Sequence, residues 1–247
     1  MRTPTAAELM QAWERGSEAS AAARSLHLLS ASCDELDGEA LLHLPLGRHD
    51  ALLLQMHTRL FGRRLDSVAA CPACGAPVEA EFDAQALRLE EHEAQDGLSA
   101  ALELHSSAHD VRVRFRLANG GDLIALQTCT DVAQARRLLI ERCVIDIDGI
   151  DAGASAMPES LQAELAQAMA EADPQADLQL AFRCPDCAHD WQPTFDIAQF
   201  LWQELHAWAL RMLRDIDTLA RHYHWSEADI LAMTPRRRQA YLEQCAS

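Results

Sequence analysis

The 247-residue chain is 49% hydrophobic and 24% charged and carries a formal charge of −17, an ordinary globular composition with a surface that repels phosphate backbones and anionic membranes. All 21 basic residues are arginine, which excludes Walker-type phosphate loops and Schiff-base catalysis, since both need lysine. No apolar run approaches the roughly 18 residues of a membrane span, and no charged-then-apolar leader opens the chain. A cytoplasmic protein with no membrane contact is expected.

Residues 1–31 read as helical and alanine-rich, with Leu9, Trp13, Leu26 and Leu29 as packing anchors. Leu41 to Gly47 reads as a loop or short strand, and a helix is expected over Asp50 to Phe61, with Leu53, Met56 and Leu60 on one face. Val78, Ala80 and Phe82 alternate with Glu79, Glu81 and Asp83, the pattern of a half-exposed strand. Residues 79–103 hold eight acids and one arginine and read as a solvated loop or helix face. Val111, Val113, Phe115 and Leu117 alternate with Arg112, Arg114 and Arg116, the clearest strand in the chain. Asn119-Gly120-Gly121-Asp122 then reads as a hairpin turn, with Leu123 to Leu126 as the returning strand.

Thr130 is expected to cap a helix whose Val132, Ala135, Leu139 and Cys143 share a face. Asp146 to Gly153 reads as an acidic loop, and Pro158 opens a helix with Leu161, Leu165, Ala168 and Ala172 inward. Leu178, Leu180 and Phe182 form a predicted strand, and Trp191 to Phe195 another. From Asp196 the longest helix runs to about His222, with Ile197, Leu201, Leu205, Trp208, Met212, Ile216 and Leu219 on one face and Trp202, Ala209 and Leu213 widening it. Ser226 and Thr234-Pro235 open two short helices, the second carrying Arg236, Arg237 and Arg238.

Two turns with the same lettering carry the strongest chemical signal: Cys71-Pro72-Ala73-Cys74-Gly75 and Cys184-Pro185-Asp186-Cys187-Ala188. Each aims two thiols at one centre, and the pair supplies the four soft ligands of a structural Zn²⁺ with no open coordination position. A glycine after the second cysteine suits a left-handed backbone. Ala188 at that place costs on the order of 1 kcal/mol if its φ is positive. The competing readings are two reduced pairs or a disulfide within each turn. Cys33, Cys129, Cys143 and Cys245 show no disulfide spacing, which points to a reducing compartment. His189 reads as a supporting or surface histidine, with metal ligation as the alternative, and His222-x-His224 reads as helix-terminal histidines rather than a metal site.

No nucleophile, acid–base pair, dinucleotide fingerprint or zincin motif stands out, so a non-enzymatic protein is expected. The fold class expected is α+β. A zinc-ribbon-like core is assembled from residues 62–126, with a β-hairpin, and 178–195. A helical N-terminal region (1–61), a helical insertion (127–177) and a helical C-terminal region (196–247) complete it, taken together as one unit.

Several motifs in fixed order resemble a known family. They are Leu44-Pro45-Leu46-Gly47-Arg48-x-Asp50-Ala51-Leu52-Leu53, Phe61-Gly62-Arg63-Arg64, the two cysteine turns, Phe195-Asp196-Ile197-Ala198-x-Phe200-Leu201-Trp202, and His222-Tyr223-His224-Trp225-Ser226-Glu227-Ala228-Asp229-Ile230-Leu231. Together they are similar to the T-even-phage-type baseplate hub assembly proteins of contractile phage tails and related contractile injection systems. The resemblance runs from about Leu44 to Leu242 and leaves residues 1–35 outside. It implies an assembly chaperone or baseplate component that binds unassembled hub or spike proteins and remains in the cytoplasm or joins the particle. The partner surface is expected on the C-terminal helices, through Trp202, Leu213, Arg236, Arg237 and Arg238. The alternative is a zinc-ribbon regulatory protein contacting nucleic acid through the same three arginines.

Overall fold

Side-chain caps set where several helices begin in the computed structural model of the chain, which describes residues 1–89, 101–148 and 157–245. By its internal contacts the chain forms two compact units: Met1–Asp37 with Ile197–Ser247, and Gly38–Asp196.

In the first unit, Thr5 and Glu8 form a reciprocal capping box that starts α1 (Ala6–Ser17), and Ser20 caps α2 (Ala21–Ser30). The longest helix, α8 (Ile197–Tyr223), buries Ile197, Leu201, Leu205, Ala209, Met212 and Leu219. These residues recur at three- and four-residue spacing, so they form one stripe. Met10 of α1 packs into that stripe beside Ala209 and Met212, flanked by Trp13, Trp208 and Ile216. His224 stops α8 in a left-handed conformation (φ 57°), its N–H bonding the Ala220 carbonyl. Ser226 then caps α9 (Glu227–Leu231), and Pro235 opens α10 (Pro235–Cys245).

The second unit mixes helices with three small antiparallel sheets, an α+β arrangement. After α3 (Gly38–His43) and α4 (Leu46–Phe61) comes the β1 (Arg64–Ala70) and β2 (Pro77–Asp83) hairpin, in unbroken register. Strand β4 (Val111–Phe115) lies between β3 (Leu102–Ser106) and β5 (Val144–Ile147). Its Val113 and Phe115 face α7 (Glu159–Ala172), meeting Leu161 and Leu165 in a buried cluster with Ile140 and Ile147. Arg112 and Arg114 alternate outward, as their spacing predicts. The last sheet, β6 (Phe182–Arg183) with β7 (Asp190–Trp191), has two residue pairs, extended by an isolated bridge between Gln179 and Thr194.

Several expectations are corrected. Asn119 to Asp122 does not turn a hairpin. Asn119 accepts from the Asp122 N–H and Asp122 accepts from the Asn119 N–H, a capping box that starts helix α5 (Gly120–Leu126). Strand β4 pairs instead with β3 and with β5, each of which overlaps by two residues the edge of a stretch read as an acidic loop. Leu41 to Gly47 is the end of α3 and the start of α4, with Pro45 bridging Asn119. Asp131, not Thr130, caps α6 (Val132–Cys143), and Val132 is 85% exposed rather than inward. Residues 90–100 and 149–153, the remainder of those two loops, lie outside the described residues.

Asp122 organises this unit's polar interior. Its side chain is fully buried, with Arg116 donating to both oxygens (2.6 and 2.9 Å) and Arg142 Nε donating to one (2.7 Å). Burial alone pushes this carboxyl up, but hydrogen bonds from Arg116, the Asn119 N–H and Arg142 outweigh it and hold the pKa below the usual carboxylate range. One carboxylate thus joins the end of β4, the start of α5 and the end of α6.

Asp122→Ala is expected to cost about 2–4 kcal/mol, since it removes a cap and strands two arginines. The sign for pH follows from the lowered pKa. This stabilisation is complete above the ordinary aspartate value and is lost as pH falls through the folded value. Urea denaturation from pH 7 to pH 3 should show a steeper loss in the wild type than in Asp122→Asn.

Candidate metal centre

The two cysteine turns are built alike. In the first, the Cys71 N–H bonds the Ala76 carbonyl (2.8 Å) and the Gly75 N–H bonds the Cys71 carbonyl (2.8 Å). In the second, the Cys184 N–H bonds the His189 carbonyl (2.9 Å) and the Ala188 N–H bonds the Cys184 carbonyl (2.9 Å). Gly75 has φ +77° and Ala188 φ +58°, so both turns use a left-handed residue after the second cysteine. Glycine takes that conformation freely, whereas Ala188 holds its Cβ against the following carbonyl.

The turns bring Cys71, Cys74, Cys184 and Cys187 together, all four sulfurs lying within 4.8 Å of one another. Cys71 Sγ is 3.6 Å from Cys187 Sγ, and Cys74 Sγ is 3.6 Å from Cys184 Sγ. A tetrahedron with metal–sulfur bonds of about 2.3 Å has edges of about 3.8 Å, so the spacing fits a four-thiolate site. Cys71 and Cys184 are buried, Cys74 and Cys187 exposed. Among the described residues, no other group of three or more histidines, cysteines and carboxylates is gathered in this way. The His189 ring stacks on Trp191.

Electrostatics also suit a cation. Burial disfavours the Cys71 thiolate, but the N–H groups of Cys74 and Ala73 donate to it and lower its pKa to about 6. Cys187 accepts from the His189 N–H, yet burial and its three sulfur neighbours push it up to about 12. Cys74 is likewise raised: the Ala76 N–H favours its thiolate, but Cys184 works against it. All four can be thiolates together this close only with a positive ion between them.

Aromatic contacts support the juncture. Phe82 of β2 meets Phe182 of β6 edge-on at 5.5 Å, and Phe182 stacks on Trp191 at 5.2 Å.

The other expected site residues lie in the first unit. Trp202 packs on Gly16 of α1, where any Cβ would overlap its ring, with the Arg24 guanidinium 5.0 Å from the ring centre. Helices α1 and α2 thus cover the flank through Trp202, and Ala209 is fully buried. Leu213 is 38% exposed, as is Leu210 one turn earlier. Arg238 is buried and bonded to Asp215 (3.3 Å), while Arg236 and Arg237 are exposed, Arg237 lying over Tyr241.

The Arg116–Asp122–Arg142 cluster escaped the sequence reading, although Asn-x-x-Asp ahead of an apolar run is itself a capping signal. One further grouping resembles a catalytic relay and is not one. Ser160 Oγ (2.9 Å) and Glu164 (3.9 Å) both face the same nitrogen, Nε2, of His109, whereas a relay needs the carboxylate on the other nitrogen.

Comparison with protein families finds a match over residues 5–202 to the family described as T4 bacteriophage base plate protein. No curated protein and no solved structure matches the chain.

Ala188→Gly is expected to raise stability by about 1 kcal/mol, by relieving the left-handed alanine, without changing metal content. Chemical denaturation with parallel elemental analysis measures both.

Proposed function

The chain belongs to the T4 bacteriophage base plate protein family, and on that premise we propose that it is a zinc-stapled assembly chaperone or component of the baseplate hub. In this reading Cys71, Cys74, Cys184 and Cys187 hold one Zn²⁺ in a zinc-ribbon-like core. The ion is structural. It supplies the positive charge the four thiolates need and fixes two hairpins whose sulfurs are 110 and 116 residues apart in sequence.

The observation supporting a partner-binding role is the outer side of α8. Leu210 and Leu213 are two of the eight large apolar side chains that are exposed among the described residues. Arg211 and Arg214 adjoin them in sequence, exposed and without an ion-pair partner among the described residues. The Arg238–Asp215 pair holds the start of α10, with Arg236 and Arg237, beside this stretch of α8. Apolar contacts with arginine at the rim are a favoured composition for protein interfaces. In this proposal the surface takes an unassembled hub or spike subunit, with Leu213, Arg236 and Arg237 in contact, Trp202 supporting the helix packing behind it and Arg238 fixing α10. The protein acts in the cytoplasm and either leaves or stays in the particle.

Two experiments test the proposal. Protein purified without chelator should contain about one zinc per chain. Cys184→Ser should lose the zinc and much of the thermal stability, because the metal closes a long loop, whereas Cys33→Ser should keep the zinc. A metal-free wild type would overturn the staple.

For the partner surface, Leu213→Asp should leave folding and zinc intact while weakening binding to a purified hub or spike subunit by roughly tenfold or more. Unchanged binding would remove α8 as the surface.

A further inference from the structure

A second surface lies in the other unit, around the outward side of the Asp122 cluster. A cleft of about 450 Å³ opens between α3, α5 and α6, lined by Leu42, His43, Arg116, Ile124 and Arg142. Its charged lining is entirely cationic. Asp122 is buried beneath it and offers one negative charge against the two guanidiniums, which leaves a formal +1 at the cleft in a chain of −17.

The geometry of Arg142 gives that charge a direction. Its Nε donates inward to Asp122 at 2.7 Å, while Nη2 has only a long contact of 3.5 Å to the Gly121 carbonyl. Nη1 has no partner among the described residues, and the side chain is 39% exposed. The guanidinium is therefore anchored by one edge and presents its other, two-nitrogen edge to the cleft. That edge can receive a carboxylate with two parallel hydrogen bonds. His43 is fixed beside it, its Nδ1–H donating to the Glu39 carbonyl at 2.8 Å.

The surroundings are apolar. Leu42 and Ile124 line the cleft, and Leu123 and Ile124 of α5 are 37% and 38% exposed. A single monoanionic solute has no use for so much exposed hydrocarbon, whereas an acidic side chain flanked by aliphatic ones does.

The geometry points to the α3–α5–α6 cleft as a docking site for an acidic, aliphatic-flanked segment of another baseplate protein, whose carboxylate sits on the free edge of Arg142 and whose neighbours cover Leu42 and Ile124. This rests on the reading of the chain as a baseplate component, and it adds a contact independent of α8. The net charge of the cleft selects one carboxylate rather than a phosphate dianion, and it repels basic segments.

The test has two arms, both on the full-length, zinc-containing protein. In the first, butyrate serves as a carboxylate on an aliphatic stem and is titrated while the arginine side-chain and isoleucine methyl resonances are followed. Phosphate and butylammonium are run at matched ionic strength. Butyrate should shift Arg142 and Ile124 saturably, Arg142→Gln should weaken the effect about tenfold or more, and the two controls should not reproduce it. In the second arm, purified baseplate subunits are bound to the wild type, Ile124→Asp and Leu213→Asp. Ile124→Asp changes the rim without touching the buried cluster, so its fold should survive, and it should lose a subunit that the wild type binds.

No specific butyrate shift, or an equal shift in Arg142→Gln, overturns the site. Butyrate binding with subunit binding unchanged in Ile124→Asp overturns the docking role. Loss of subunit binding in Leu213→Asp alone leaves the α8 surface standing and removes this one, and an absence of any subunit binding removes both.

Discussion

Four sulfurs from two distant hairpins meet within 4.8 Å, and much of the second unit depends on that meeting. Closing a loop of about 110 residues costs roughly 4 kcal/mol in chain entropy. Hydrogen bonds of Gln175 to Leu87 and Leu89, and the burial of Leu178, Leu180 and Phe182, repay part of it. The β6–β7 ladder has two residue pairs, too few for a hairpin to hold in water alone. The contact of Phe82 with Phe182 contributes apolar burial, but it joins one ring from each side. In the proposed reading a cation among the thiolates would convert their mutual repulsion into attraction, and the lettering of both turns would then matter more than the strands around them.

The chain inserted between the two turns has a polar hub of its own. Asp122 accepts from two arginines and from the Asn119 N–H, and it belongs to a helix of only seven residues. The β3–β4–β5 sheet has short strands, and the apolar cluster beneath it gathers around Leu161 and Leu165 of α7. With so little hydrophobic area per element, orientation falls to directional interactions. Both hubs follow one physical rule. Groups of like charge or unmet hydrogen-bonding demand are buried only where opposite charge converges on them. At Asp122 the protein supplies that charge from its own arginines, and at the cysteines the proposed reading assigns it to an ion.

What the sequence disclosed was local. The cysteine turns, the stripe on α8 and the alternation in β4 are written in residues close to one another, and the positive φ of Ala188 was foreseeable from its place after the second cysteine. Asn119-Gly120-Gly121-Asp122 was misread because the same letters suit a type I′ turn and a capping box. The choice was made by Arg116 and Arg142, the latter twenty residues away, which no window of periodicity includes. Strands β3 and β5 were hidden for a related reason. They are short, carry acids on their open face, and exist because β4 offers each an edge. The cover over Trp202 was equally invisible: Gly16 is unremarkable in sequence until the indole ring lies on it.

The arginines show where internal architecture ends. Arg63, Arg64, Arg116, Arg142, Arg221 and Arg238 each face a carboxylate of the same unit, as expected in so acidic a chain. Arg136, Arg211, Arg214 and Arg236 have no ion-pair partner among the described residues and are exposed. With acids outnumbering bases 38 to 21, a shortage of partners does not explain them. Arg136 shares a helix face, at a spacing of four, with exposed Val132, and Arg214 with exposed Leu210. Cations kept from abundant carboxylates and set beside uncovered hydrocarbon gain nothing from the fold itself. In the proposed reading they form the rim that meets an acidic surface on another molecule, where complementary charge would set orientation and rate of encounter.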